Sequence, residues 1–478
     1  MTLGSAAPSR HLSDAVWADA VEHLVDTLRT LIRIPSINPP SLEMPDGETC
    51  MARQLAAMLE AAGLSPEIVE PVSGRGSVHA RLRGDGTGGE PLLLLSHLDV
   101  VPAPAERWSH DPFAADLADG YIYGRGAVDM KAMVALELTV VRMLASEARA
   151  AGLDPGRDPI PGLRRDILFT STADEEAGGI AGAKWFADHR PEWLRAAGAL
   201  NECGGVSATI GGRRFYPIQV AEKGFAAYRI AVRGTWGHGS MPREDNAAVL
   251  AAAVIERLAV PGPTRVTPVI ARLLELAAAE LPAEAAGVLR ALSSDDPRRA
   301  EAALTVACDP MYARAVRALL RDTISPDVVH AGIKYNVIPG DAVVEVDCRV
   351  LPGTTEPAMR AQLVERLGPE LAAACDIELI VFGPPVDSPA DGPLFDLLVS
   401  TVRDHDPDGI PLPVMAPFAT DGKFTIGLGV PTYGFSPLRL DPEERFLERF
   451  HGIDERVSVD ALRWGLPVLY DVVRGFCG

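Results

Sequence analysis

Three segments constrain this chain more than any others. EPLLLLSHLDVV, RDILFTSTADEEAGG and AGALNECGG each begin as a largely apolar run and end on a histidine or on carboxylates. A strand that is apolar on both faces belongs in a sheet covered on both sides, the setting of parallel sheets in α/β proteins. The segments between carry helical patterns, notably Lys131 to Ala148 and Gly182 to His189. A first helix is expected from about Asp14 to Ile32, where Val21, Leu24, Val25, Leu28, Leu31 and Ile32 recur at helical spacing. Ser13 can cap it and Pro35 closes the segment. In such folds ligands gather beyond the carboxyl ends of the strands. There the sequence carries His97, then Asp174, Glu175 and Glu176, then Glu202.

The pattern changes after Glu222. KGFAAYRIAVRG alternates like a half-exposed strand, and NAAVLAAAVIERLA follows as a helix. KYNVIPGDAVVEVDCRVLPG reads as a hairpin turning at Pro339-Gly340, and EPAMRAQLVERL and DIELIVFG add a helix and a strand. That order is the order of a small α+β open-faced sandwich. An Ala/Leu/Arg-rich, helical-looking insertion interrupts it at about residues 260–323. The α/β character returns at about Pro389 and runs through VPTYGFSP to a last helix near Val459 to Val473. The expected architecture is a discontinuous α/β domain, residues 1–222 and 389–478, with a mainly parallel sheet and helices on both faces. An α+β domain is inserted into it at 223–388. Two domains suit a chain of 478 residues, which is too long for one typical core. The sequence has no internal repeat, and its low complexity is confined to the Gly-rich turn at Gly84 to Gly89.

Charge narrows the partners. A formal net charge of -20 argues against nucleic acid and against an anionic membrane surface. It leaves room for a small anionic substrate, because local charges can oppose the global field. Cys50, Cys203, Cys308, Cys348, Cys375 and Cys477 are scattered without a C-x-x-C pair, so neither a zinc ribbon nor a disulfide framework is expected. A reducing compartment is the simpler reading. No stretch approaches the roughly 20 apolar residues of a membrane span. The opening MTLGSAAPSRHLSDAVW lacks the apolar run of a signal peptide. A soluble, cytoplasmic, multi-domain protein is expected.

His97, Asp129, Glu176, Glu202 and His451 form an N/O donor set suited to zinc and tolerable for cobalt or manganese. Two divalent cations carry four positive charges; three carboxylates and one bridging hydroxide cancel them, as a partly dry pocket requires. Each residue also has a bland reading. His97 could be an ordinary loop residue, Asp129 a helix N-cap, and Glu175-Glu176 a solvated pair. Three strand ends aiming polar groups at one edge weaken those readings together.

These residues lie in motifs: S-H-L-D-V at Ser96 to Val100, G-R-G-A-V-D-M-K at Gly124 to Lys131, D-E-E at Asp174 to Glu176, and N-E at Asn201-Glu202. G-H-G-S at Gly237 to Ser240, N-V-I-P at Asn336 to Pro339 and H-G-I-D-E-R at His451 to Arg456 follow. In that order, over nearly the whole chain, they resemble the dizinc hydrolases that include aminoacylase, carboxypeptidase G, acetylornithine deacetylase, succinyl-diaminopimelate desuccinylase and yeast carboxypeptidase S. D-C-R-V-L-P-G and T-D-G-K-F bring the chain nearest the aminoacylase and carboxypeptidase S group. The resemblance implies a catalytic domain and an inserted lid and dimerisation domain, two zinc ions per subunit, and a homodimer. Asp129 would bridge the metals, His97 and Glu202 completing one site, Glu176 and His451 the other. Asp99 would hydrogen-bond the His97 imidazole and fix its tautomer. Glu175 would be the general base, taking a proton from metal-bound water and passing it to the leaving nitrogen.

On the inserted domain, the resemblance makes His238 a donor to the developing oxyanion, reaching the partner's site, or else a turn residue between two glycines. Arg349 and Asn336 match positions that bind the substrate's free carboxylate, although Arg349 could instead pair with Asp347 or Asp341. The chain departs from the pattern at Cys203, where many relatives have Gly, and at Lys423, where the nearest usually have Arg. The implied function is hydrolysis of the amide bond of an N-acyl amino acid or dipeptide. Desuccinylation of succinyl-diaminopimelate or deacetylation of acetylornithine is the close alternative. A catalytically silent, amino-acid-binding relative would have lost a ligand or the base, and none is lost.

Overall fold

Strands Leu92–His97, Ile167–Thr172 and Gly198–Asn201 are buried at every position, which is what their unbroken apolar runs require. The computed structural model describes residues 8–39, 46–293, 298–299, 302 and 310–478. It divides into two compact units: Met1–Val220, Ser388–Pro413 and Thr420–Gly478 in one, Ala221–Asp387 and Val414–Ala419 in the other. Residues 1–7, Cys308 and part of the helical insertion, all read above, lie outside the described residues.

The first unit holds the mixed sheet. Leu92–His97 pairs in parallel with Ile167–Thr172 on one side and Gly198–Asn201 on the other, and Thr432–Gly434 extends it in parallel. Ser77–Leu82 extends the far side antiparallel, and Glu67–Val69 pairs beyond it. Leu93, Leu95 and Leu168 pack on one face against Phe186 of helix Ala183–His189 and against Trp193. Helices Asp14–Ile32, Lys131–Ala150 and Val459–Cys477 pack against one another and the opposite face. The first begins as its sequence dictates, with the Ser13 hydroxyl accepting from the Val16 N–H.

The second unit is an antiparallel sheet in the order Thr323–Ala331, Asp341–Val350, Gly224–Arg233, Cys375–Gly383. Helices Ala247–Leu258 and Glu356–Ala373 cover one face, burying Ala342, Val344, Val346, Cys348 and Val350 beneath them. The hairpin differs from expectation. Asp341–Val350 pairs with Thr323–Ala331, while Val337–Ile338 pairs with Gly237–His238. Pro326 hides the first arm in the sequence, since proline suppresses a strand reading; at a sheet edge it is tolerated, and the register shifts beside it.

Candidate metal centre

Parallel register brings the polar residues to one edge. His97 stands opposite Thr172, so the residues after each strand, Asp174 to Glu176 and Glu202 among them, emerge together. Asp129 comes from the turn before helix Lys131–Ala150, and His451 from the loop before Arg456–Ser458, which is tied to Tyr121–Tyr123. Asp129 Oδ1 lies 3.1 Å from His97 Nε2, and its Oδ2 lies 3.4 Å from His451 Nε2. Glu176 Oε2 is 3.1 Å from His451 Nε2, and Glu202 Oε2 is 3.7 Å from His97 Nε2. Glu175 joins His97 and Glu202 in one group whose ligand atoms lie within 4.8 Å of one another, and Glu176 joins His97 and Asp129 in another. Asp129 is not a helix cap: Met130 holds the cap position and makes no side-chain capping bond. Asp174, Cys203 and His451 all adopt left-handed backbone at φ of 72°, 72° and 55°. Such conformations cost non-glycine residues about 1–3 kcal/mol each and gather where the surroundings impose them.

Buried acceptors hold the loops. The Asp99 carboxylate accepts from the Glu175 and Glu176 N–H groups at 3.1 and 3.0 Å and from Asn38 Nδ2 at 2.7 Å. His97 Nδ1 is 3.0 Å from the Asp99 carbonyl and 3.5 Å from its carboxylate, so the main chain is the nearer partner of the imidazole. Glu455, with no exposed surface, accepts from the N–H groups of Gly126, Val128 and Asp129 at 3.1, 2.6 and 3.0 Å and from Arg125 at 2.6 Å. Arg125 also reaches the His451 carbonyl at 3.4 Å, tying both loops together. Glu48, paired with Arg75, accepts from the Asp174 N–H at 2.7 Å. Glu455 and Arg125 lie inside motifs quoted from the sequence, but nothing in one chain marks them as loop anchors. Glu48 and Arg75 carry no signal at all.

The electrostatics fit a cation. Burial, followed by the negative charge of Glu202, pushes Glu175 well above the carboxylate range. Burial also works against ionised Asp129, yet hydrogen bonds from His451 and His97 hold it low. Bonds to Asp129 and Glu176 raise His451 to about 10. Glu176 Oε1 is buried without a hydrogen-bond donor among the described residues, an oxygen placed to meet a positive ion. Two imidazoles and three carboxylates match the donor preferences of zinc. Cys203 Sγ donates to Glu202 Oε2 at 3.2 Å, and burial with the Glu202 charge raises its thiol well above the usual range. Lys423 is tied to its own loop, donating to the Thr420 carbonyl at 2.9 Å and lying over the Phe424 ring.

The second unit carries His238, Asn336 and Arg349. His238 is exposed in the short ladder with Val337, and the Ser240 N–H donates to its Nδ1 at 3.2 Å. That bond makes Nδ1 the acceptor and Nε2 the protonated nitrogen of the neutral ring. The Gly239 N–H donates to the Asn336 carbonyl at 2.9 Å, which brings Asn336 beside His238; its Oδ1 is buried with no donor among the described residues. Arg349 stands apart from this pair, donating from Nε to Asp347 Oδ2 at 2.8 Å, the ion pair foreseen as its alternative.

A cluster of nitrogen and oxygen donors at the carboxyl edge of a parallel sheet, buried except at exposed His451 and half-buried Glu175 and Glu176, fits a class of metal-dependent hydrolases. Residues 93–475 match the model of peptidase family M20/M25/M40, and the chain belongs to that family. It is a hydrolase of amide or peptide bonds. It is 29% identical over 410 residues to the N-fatty-acyl-amino acid synthase/hydrolase PM20D1 of Homo sapiens, covering 82% of this chain and 75% of that one. It is 29% identical over 457 residues to Aminoacylase-1 of Mus musculus, covering 94% of each. Its fold is similar to that of the M20 family metallo-carboxypeptidase Sso-CP2 from Sulfolobus solfataricus, with a TM-score of 0.68, 18% identity, and 95% and 99% of the two chains covered.

Proposed function

We propose that this protein hydrolyses the amide bond of N-acyl amino acids or dipeptides bearing a free carboxylate. One observation carries the reading: the two oxygens of Asp129 face two different imidazoles, His97 and His451. A carboxylate so disposed can join two cations, with His97 and Glu202 completing one site and Glu176 and His451 the other. Zinc suits these donors, with cobalt or manganese tolerated. When bound, the ions supply Lewis-acid polarisation of the scissile carbonyl and acidify water. Glu175 takes the proton of the attacking water and delivers it to the leaving nitrogen; oxygen adds to the carbonyl carbon and the C–N bond breaks. Asp99 keeps Glu175 and Glu176 in register through their main-chain N–H groups. His238 donates from Nε2 to the developing oxyanion. Arg349, steadied by Asp347, and Asn336 bind the substrate carboxylate. The second unit acts as lid and dimerisation domain of a cytoplasmic homodimer.

The names of the human and mouse relatives support N-acyl amino acids as substrates. The test is hydrolysis of a panel of N-acetyl, N-succinyl and long-chain N-acyl amino acids and of dipeptides, each beside its methyl ester, with and without chelator. Cleavage that prefers the free acid and stops on chelation is the expected result. Equal rates on acids and esters would contradict the carboxylate anchor, and no cleavage of any acid or dipeptide by metal-loaded protein would contradict the substrate class.

A further inference from the structure

The second unit contains a cavity of about 810 Å³ that none of the residues named above lines. That volume is in the range of small-molecule sites, roughly 300–1,000 Å³. It lies between helices Ala247–Leu258 and Glu356–Ala373 and the segment that follows the first of them. Arg349 does not serve it. Along Asp341–Val350 the even-numbered residues pack under the helices, whereas Arg349 alternates to the other face.

Three arginines line the cavity, although acids outnumber bases 65 to 45 in the chain. Each is fixed by hydrogen bonds through one terminal nitrogen: Arg257 to the Leu367 carbonyl, Arg265 to Thr354 Oγ1 at 2.7 Å, Arg366 to the Val260 carbonyl at 2.7 Å. Such bonds hold the planar forks in place, and the remaining N–H groups of Arg257 and Arg265 have no acceptor among the described residues. Arg366 Nη2 is buried without an acceptor as well. Two acids stand against the three arginines: Asp322 pairs with Arg265 Nη2 at 3.7 Å while also accepting from the Leu351 N–H at 2.6 Å, from Thr354 and from Gln362 Nε2 at 2.8 Å, and Glu365 is exposed. A cavity with fixed, under-used guanidinium groups is the complement of an oxyanion.

We infer that this cavity binds a small molecule through a phosphate-like or carboxylate group held by Arg257 and Arg265, at a site separate from the metal cluster. The test is isothermal titration of the metal-loaded full chain with sodium sulfate, standing for the tetrahedral anion, and with sodium succinate, standing for carboxylates. Sodium chloride at equal ionic strength is the blank. Saturable binding of either anion is expected, weakened about tenfold, near the worth of one charge-assisted bond, in both Arg265→Gln and Arg257→Gln. Arg265 is exposed, so this variant keeps the test readable if Arg257→Gln does not fold. Sulfate against succinate decides which anion class the site takes. Heats no larger than the chloride blank for both anions, or unchanged affinity in a folded Arg265→Gln, would overturn the proposal.

Discussion

Glu455 joins the loops of Asp129 and His451 without facing the substrate itself. Its removal leaves three buried N–H donors unmatched and the Arg125 charge without its carboxylate, a loss of about 3 kcal/mol or more. Glu455→Ala should therefore lower the unfolding midpoint and release metal at a lower chelator concentration than the parent does, whereas Glu455→Gln, which keeps one acceptor, should fall between. Denaturation and chelator titration followed by metal analysis check this; parent-like metal retention in Glu455→Ala would remove the anchoring role. The candidate ligands were legible in the sequence because each ends a strand or opens a helix within a motif. Their supports were not, because Glu48, Asn38 and Arg75 meet Asp99 and Asp174 through tertiary contacts that no spacing encodes. Asp99 lies between these cases: the sequence marks its place beside His97, while its bonds to Glu175 and Glu176 depend on parallel strand register.

Strand Ser77–Leu82 carries a titration that can be separated from the metal cluster. His79 stacks on Trp193 at 4.5 Å, and burial, then the charges of Arg190 and Arg81, lowers its pKa from 6.5 to about 4. Between those two values the unfolded chain binds the proton that the folded chain refuses. The stability contributed by neutral His79 is complete above 6.5 and is lost as pH falls toward 4, with a slope of at most about 1.4 kcal/mol per pH unit. Unfolding free energies of the parent should drop more steeply than those of His79→Phe over this window; parallel curves would contradict the assignment. At the C-terminal helix Val459–Cys477, the Ser458 hydroxyl accepts from the N–H groups of Asp460 and Ala461. Ser458→Ala should cost about 1 kcal/mol in denaturant unfolding while leaving metal content unchanged. Elements with a strong period were readable from sequence, as Asp14–Ile32 shows. The edge strand Thr323–Ala331 was not, since proline and partial exposure erase the alternation on which the reading depends.

The proposed ligands come from strand ends and loops far apart in sequence, all within the first unit, so metal and fold should be coupled. Chelation is expected to lower the thermal midpoint of the full chain as well as abolish hydrolysis, and zinc should restore both; a midpoint indifferent to chelator would separate the cluster from stability. The fold class was legible because doubly buried strands leave few architectures open, whereas the division of labour among neighbouring acids came only from the resemblance of the motifs. Glu175 and Glu176 are adjacent, and only the backbone path, pinned by Asp99, gives them different neighbours. The assignment of Glu175 as base and Glu176 as ligand is the centre of the account. Its most direct test is the turnover of an N-acyl amino acid by Glu175→Gln, compared with the parent at equal, measured metal content. The account predicts parent-like metal content with turnover lower by about 10²–10⁴-fold; turnover within tenfold of the parent would contradict it.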